Sequence, residues 1–157
     1  ITVTTDEIYN AFLGGYEEQK TFFHGHSYTG NPLGCAVAIA NLELYEKTNL
    51  IEEVARKTEY VATQLEDLFA YKHVGDIRQC GLMVGIELVK NKETKEAFEW
   101  TERVGVQVCK RSRELGMILR PLGNTIVFMP PLASTIDEID DMLRILYQAI
   151  SDVTEGE

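Results

Sequence analysis

The sequence predicts an α+β fold, a few-stranded sheet covered by helices on one face, and three observations carry that expectation. Two apolar stripes at helical spacing, Ile51 to Leu68 and Ile136 to Val153, can each bury one side of a helix. Between them Leu82, Val84, Ile86 and Leu88 alternate as a strand with one buried face does. Met117 to Arg120 and Thr125 to Met129 flank Leu122-Gly123-Asn124 and read as a β-hairpin, halted by Pro130-Pro131.

The elements follow in order. Thr5-Asp6-Glu7 ahead of Ile8, Tyr9, Phe12 and Leu13 predicts a capped short helix that Gly14-Gly15 stops. A polar loop runs to Asn31, where an N-cap residue precedes proline at the first helical position, and an alanine-rich helix extends from there to about Lys47. Its small residues, Gly34, Ala36, Ala38 and Ala40, suit close packing. After Thr48-Asn49 comes the stripe Ile51, Val54, Thr58, Val61, Leu65 and Leu68. Strand chemistry fills Val74 to Val89, with Gly81 permitting a bend or bulge. A charged loop, Lys90 to Glu99, leads to a helix marked by Trp100, Val104, Val108 and Leu115 that Gly116 can end. Thr135 and Glu138 form a capping box ahead of the last helix. The first 47 residues fit the layered pattern poorly and read as the end of another domain with a connecting helix, which puts a boundary near Thr48.

Composition narrows the function. The 157 residues are 45% hydrophobic and 25% charged, as in a globular domain rather than a disordered or fibrous chain. A net charge of −10, with scattered basic residues, argues against a polyanionic partner. The longest stretch free of Asp, Glu, Lys and Arg, Thr21 to Leu42, is interrupted by histidines, glycines and a proline and cannot span a bilayer. The first residues lack a basic start with an apolar run, so no signal peptide is expected. Because the sequence begins with Ile rather than Met, it is expected to be a processed product or a piece of something longer. Cys35, Cys80 and Cys109 match neither a disulfide framework nor a zinc knuckle and read as reduced thiols in a cytoplasmic protein.

The densest polar segment is His24-Gly25-His26-Ser27-Tyr28-Thr29-Gly30-Asn31-Pro32. Hydroxyls on Ser27 and Thr29, glycines, and the amides of a helix N-terminus are what a phosphate needs; the same residues can equally be a helix-entry loop in which Asn31 only caps. His24 and His26 lack a third metal ligand nearby, so no metal site is expected, and a Cys35–His26 nucleophile pair is no better supported than packing. Arg120 ends an apolar run and abuts Pro121, where its guanidinium can clamp a carboxylate or simply sit exposed. Arg78 alternates with Asp76 and Cys80 on what reads as a solvated sheet face.

Three segments also resemble a family. His24 to Ala36 (HGHSYTGNPLGCA), Val74 to Leu88 (VGDIRQCGLMVGIEL) and Leu119 to Leu132 (LRPLGNTIVFMPPL) are similar, in this order, to the C-terminal part of class III pyridoxal-phosphate-dependent aminotransferases. The resemblance implies an α/β protein of fold type I overall, with 1–47 the end of its large cofactor-binding domain and 48–157 its complete small C-terminal domain. It implies a homodimer in which the loop reaches the cofactor of the neighbouring subunit. By position, His26 and Ser27 match the pair contacting the cofactor phosphate, Gly25 a backbone position beside the substrate, and Arg120 the arginine that binds the substrate carboxylate. The family's cofactor-bearing lysine is followed by glycine; here none of the eight lysines precedes a glycine. The catalytic lysine is therefore expected upstream, and the chain alone is expected to be inactive and not to retain pyridoxal phosphate. A different substrate pair within the class, or a non-catalytic α+β module binding a small anion, are the alternatives.

Overall fold

A computed structural model describes residues 2–156, which divide into two compact units on either side of Glu43 and Leu44, with the division inside a helix. In the first unit, α1 (Asp6–Ala11) starts where Thr5 Oγ1 accepts from the Ile8 amide, 3.4 Å. It stops at Phe12, short of the two glycines. A 3-10 turn at Tyr16–Glu18, not foreseen from the sequence, follows. α2 (Pro32–Lys47) opens as expected, with Asn31 Oδ1 accepting from the amides of Leu33 at 3.0 Å and Gly34 at 3.1 Å.

The second unit holds the core. α3 (Leu50–Leu65) begins after Asn49 takes a left-handed conformation, φ 50°, and tightens into a 3-10 turn at Glu66–Ala70. Its stripe is buried only in its second half: Val61, Leu65 and Leu68 are sealed, whereas Ile51 is 67% exposed. β1 (Val74–Cys80) and β2 (Met83–Asn91) pair antiparallel, and Gly81, φ 59°, supplies the tight turn between them rather than a bend within one strand. A register shift falls at Gly75, where a Cβ would meet Val89 Cγ1 at 2.6 Å, so glycine is required for the bulge. The charged loop contains a short β3 (Glu96–Ala97) that adds to β2.

Trp100 does not belong to a helix stripe. Residues 100–102 form a 3-10 turn closed by the reciprocal pair Glu99 and Glu102; Arg103 turns left-handed, φ 52°; α4 (Val104–Glu114) starts only then. Trp100 is accordingly 78% exposed. Gly116, φ 105°, ends α4 as expected. β4 (Arg120–Leu122) and β5 (Thr125–Phe128) make the hairpin, so Arg120 opens its strand rather than ending the preceding apolar run. α5 (Ile136–Thr154) carries the expected capping box, Glu138 N–H to Thr135 Oγ1 at 3.2 Å and Thr135 N–H to Glu138 Oε2 at 2.8 Å.

The sheet order is β1-β2-β5-β4, antiparallel throughout. Val84, Ile86 and Leu88 of β2 and Ile126 and Phe128 of β5 are buried, and join Val61, Leu65, Val108, Ile139, Leu146 and Ile150 of the helices in one core. The helices thus cover one face, as the sequence predicts. Lys57, 7% exposed, donates from Nζ to the Leu132 carbonyl at 2.9 Å and so fixes the segment after β5. Cys109 lies in the core, where burial pushes its thiol up to about 11, while Cys35 and Cys80 are exposed and all three are free.

Burial assigns Ile126 of β5 and Ile51 of α3 opposite weights. Ile126→Ala should cost about 2–5 kcal/mol of unfolding free energy, and Ile51→Ala less than about 0.5 kcal/mol. Urea unfolding of the chain reports both; equal losses would contradict the half-buried α3.

Candidate functional site

The polar loop before α2 folds as two overlapping turns. Thr29 N–H donates to the His26 carbonyl at 2.9 Å and Asn31 N–H to the Tyr28 carbonyl at 3.1 Å, while Thr29 Oγ1 accepts from the His26 amide at 3.1 Å. Gly30 takes φ 70°, which lets the chain turn into the helix. These bonds sort the groups that the sequence offered to an anion. The amides of Leu33 and Gly34 are engaged by Asn31, and the Thr29 hydroxyl by His26. Among the described residues, the Ser27 hydroxyl and the amides of Ser27 and Tyr28 have no hydrogen-bond partner. A phosphate would therefore be met by the turn at Ser27, not by the helix end.

His26 is held from its other side. Phe12 and Phe22 rings lie 5.2 Å apart, Phe22 and His24 5.4 Å, and His24 and His26 5.4 Å edge to face. This stack extends from α1 to the turn and orients the His26 ring. The sequence reading missed it, although Phe22, His24 and His26 at every second position are the signature of an extended segment with one aromatic side. Gly25 lies between the two histidines with open space about its Cα. Among the described residues, no three His, Cys, Asp or Glu side chains come together as a metal site. The loop offers a hydroxyl and free backbone amides, the donors that a phosphate or another anion takes. His24, Gly25, His26 and Ser27 are thus brought together within the first unit, whereas Arg120 belongs to the second.

In the second unit the strand register defines a row. Arg78 opposes Gly85, Gly85 opposes Val127, and Val127 opposes Arg120, so these four share one sheet face. It is the face away from the core, since Ile86 and Ile126 beside them are buried. The two arginines at its ends differ in their surroundings. Arg78 Nη1 donates to Asp76 Oδ2 at 2.8 Å and to Glu87 Oε2 at 2.7 Å, which neutralises it on the solvated face as expected. Arg120 is exposed and has no ion pair or side-chain hydrogen bond among the described residues. Its guanidinium keeps all five donors for an incoming carboxylate.

Comparisons with known proteins give the chain's family. The family model for aminotransferase class III matches residues 1–150. The adenosylmethionine-8-amino-7-oxononanoate aminotransferase of Anoxybacillus flavithermus is 53% identical over 98% of this chain and 34% of its own length. The crystal structure of the Methanocaldococcus jannaschii enzyme of the same name superposes with a TM-score of 0.91 at 47% identity, covering 96% of this chain and 34% of that one. An ω-aminotransferase from Paracoccus denitrificans superposes at 0.83 with 31% identity, over 89% and 31%. The chain spans about a third of the length of these relatives.

In this turn the hydroxyls of Ser27 and Tyr28 have no hydrogen-bond partner among the described residues. In the longer protein, Ser27→Ala should weaken retention of a phosphate-bearing cofactor by about 1.5–3 kcal/mol, as expected for a hydrogen bond to a charged group, with Ser27→Thr close to the parent. Equilibrium dialysis checks this; unchanged retention in Ser27→Ala would remove the turn from the site.

Proposed function

The chain belongs to the class III aminotransferases, and we propose that it is the C-terminal part of a biotin-pathway transaminase that moves an amino group from S-adenosylmethionine to 8-amino-7-oxononanoate. The observation that carries this reading is Arg120, an exposed guanidinium without an ion-pair partner among the described residues, set on an edge strand at one end of a row whose other arginine, Arg78 on β1, is neutralised. Identities of 35–53% to seven enzymes bearing that name, against 29–33% to ω-transaminases of similar fold, support this substrate pair over another within the class.

In this reading residues 1–47 are the end of the large cofactor-binding domain with its connecting helix, and 48–157 are the small domain. The enzyme is a cytoplasmic homodimer, and the turn at His26 and Ser27 serves the cofactor of the neighbouring subunit. Pyridoxal phosphate, when bound, supplies the carbonyl that accepts and returns the amino group and the ring that withdraws electrons. Ser27 and the free amides of the turn would hold the phosphate, with the stacked His26 ring as the neighbouring contact. Gly25 leaves room beside the substrate because it has no side chain. Arg120 binds the carboxylate of 8-amino-7-oxononanoate through two parallel hydrogen bonds, which orients the distant keto carbon toward the cofactor. The lysine that takes and returns the proton belongs to the upstream part of the longer enzyme, so the chain alone is inactive.

Half-reactions of the full-length enzyme separate the roles. Arg120→Ala should leave the half-reaction with S-adenosylmethionine nearly intact and remove on the order of 2–4 kcal/mol from the half-reaction with 8-amino-7-oxononanoate, mostly as weaker apparent binding. Arg120→Lys should recover only part, because the charge returns without the fork. Equal damage to both half-reactions would return Arg120 to a plain strand-end residue.

A further inference from the structure

β4 is a weak support for a residue that has to be placed accurately. It is three residues long, lies at the sheet edge, and has Pro121 at its centre, which has no N–H to donate. Within the sheet its only neighbour is β5. The turn that joins them is nevertheless gripped from three directions by one short segment, 98–105. Asn124 Nδ2 donates to the Phe98 carbonyl at 2.8 Å. The Trp100 ring lies over Gly123, so that a Cβ built there, at a residue with φ 61°, would come within 3.2 Å of Trp100 Cζ3. Gly105, buried in the first turn of α4, packs directly onto the turn: a Cβ on it would run into the Gly123 carbonyl oxygen and lie 3.3 Å from Pro121 Cβ. That oxygen is backbone and cannot move aside as a side chain can, so any residue other than glycine must lift the turn.

Resting on the assignment of Arg120 to the substrate carboxylate, we infer that Gly105 is a positioning residue for Arg120: its missing side chain lets α4 seat the β4–β5 turn, and that seat sets where the guanidinium stands. Pro121 is the link, being both the residue that Gly105 touches and the immediate neighbour of Arg120 along the backbone. A methyl group at position 105 displaces the turn at Gly123 and Pro121, and the edge strand moves with it. The carboxylate then meets a misplaced fork, while the donor half-reaction, which does not use Arg120, proceeds as before.

The test uses the full-length enzyme. Gly105→Ala should raise the KM for 8-amino-7-oxononanoate by roughly 10- to 100-fold, with cofactor retention and the S-adenosylmethionine half-reaction within about twofold of the parent. Asn124→Ala, which loosens the same turn without crowding it, should shift the same KM in the same direction by a smaller factor. The double variant Gly105→Ala, Arg120→Ala should be no worse than Arg120→Ala alone, because the first change acts through the second residue. Additive losses in the double variant, or equal losses in both half-reactions, overturn the inference while leaving the role of Arg120 standing. An Arg120→Ala enzyme with unchanged KM overturns both. Should Gly105→Ala not fold, Asn124→Ala decides: the same split supports the inference, and an unchanged KM overturns it.

Discussion

Val84, Ile86 and Leu88 leave water together, and because side chains alternate along a strand, Gly85 and Glu87 must face the other way. Each buried aliphatic side chain contributes about 1.5–3 kcal/mol, and a slip of one residue would reverse them all, so the register of β2 is the most strongly constrained feature of the second unit. β1 and β5 inherit it through pairing, and β4 inherits it from β5. The position of Arg120 follows: opposite Val127, itself opposite Gly85, it can only be on the open face. Asp76 and Glu87 on the adjacent row take up Arg78. Burial of one sheet face thereby determines which cation on the other face has none of its charge taken up by a neighbouring carboxylate.

The first unit is organised differently. None of its helical elements, α1, the 3-10 turn at 16–18 and the part of α2 that belongs to it, buries a residue, and local bonds give it its form: the Thr5 and Asn31 caps, the two turns through Thr29, and the aromatic stack that ends on His26. Satisfying the helix N-terminus internally is what leaves the Ser27 hydroxyl as the available donor. The division of labour is chemical: one unit offers neutral donors suited to a phosphate, the other a guanidinium suited to a carboxylate.

Most of the core was legible because its signals are periodic. The alternation from Leu82 to Leu88, the stripe from Ile136 to Val153 and the Thr135–Glu138 box each specify an element through spacing alone. Features set by a single backbone conformation were not. The stripe that included Trp100 could not reveal that Arg103 turns left-handed and delays α4, and the spacing from Ile51 could not tell that the core begins only at Val61. Arg120 was singled out from its setting beside Pro121, but its role came from the resemblance, since nothing in the spacing says which sheet face it takes. Thr29 looked as available to an anion as Ser27 until its turn was seen. Gly105 carried no signal, because a glycine required by a close backbone approach reads in sequence like any other glycine in a helix.

Under the proposed function, Ser27 and Arg120 of one chain serve two different active sites of a dimer, and subunit complementation separates that arrangement from one in which both serve the same site. Ser27→Arg and Arg120→Ala versions of the full-length enzyme, each assayed alone at 8-amino-7-oxononanoate concentrations low enough that the weaker binding of Arg120→Ala suppresses turnover, are unfolded together and reassembled. If Ser27 acts across the interface and Arg120 within its own subunit, every mixed dimer has one site with both residues intact, and a statistical mixture regains about a quarter of the parent's activity. If both residues serve the same site, no site in the mixed dimer is whole, and activity stays at the level of the separate variants.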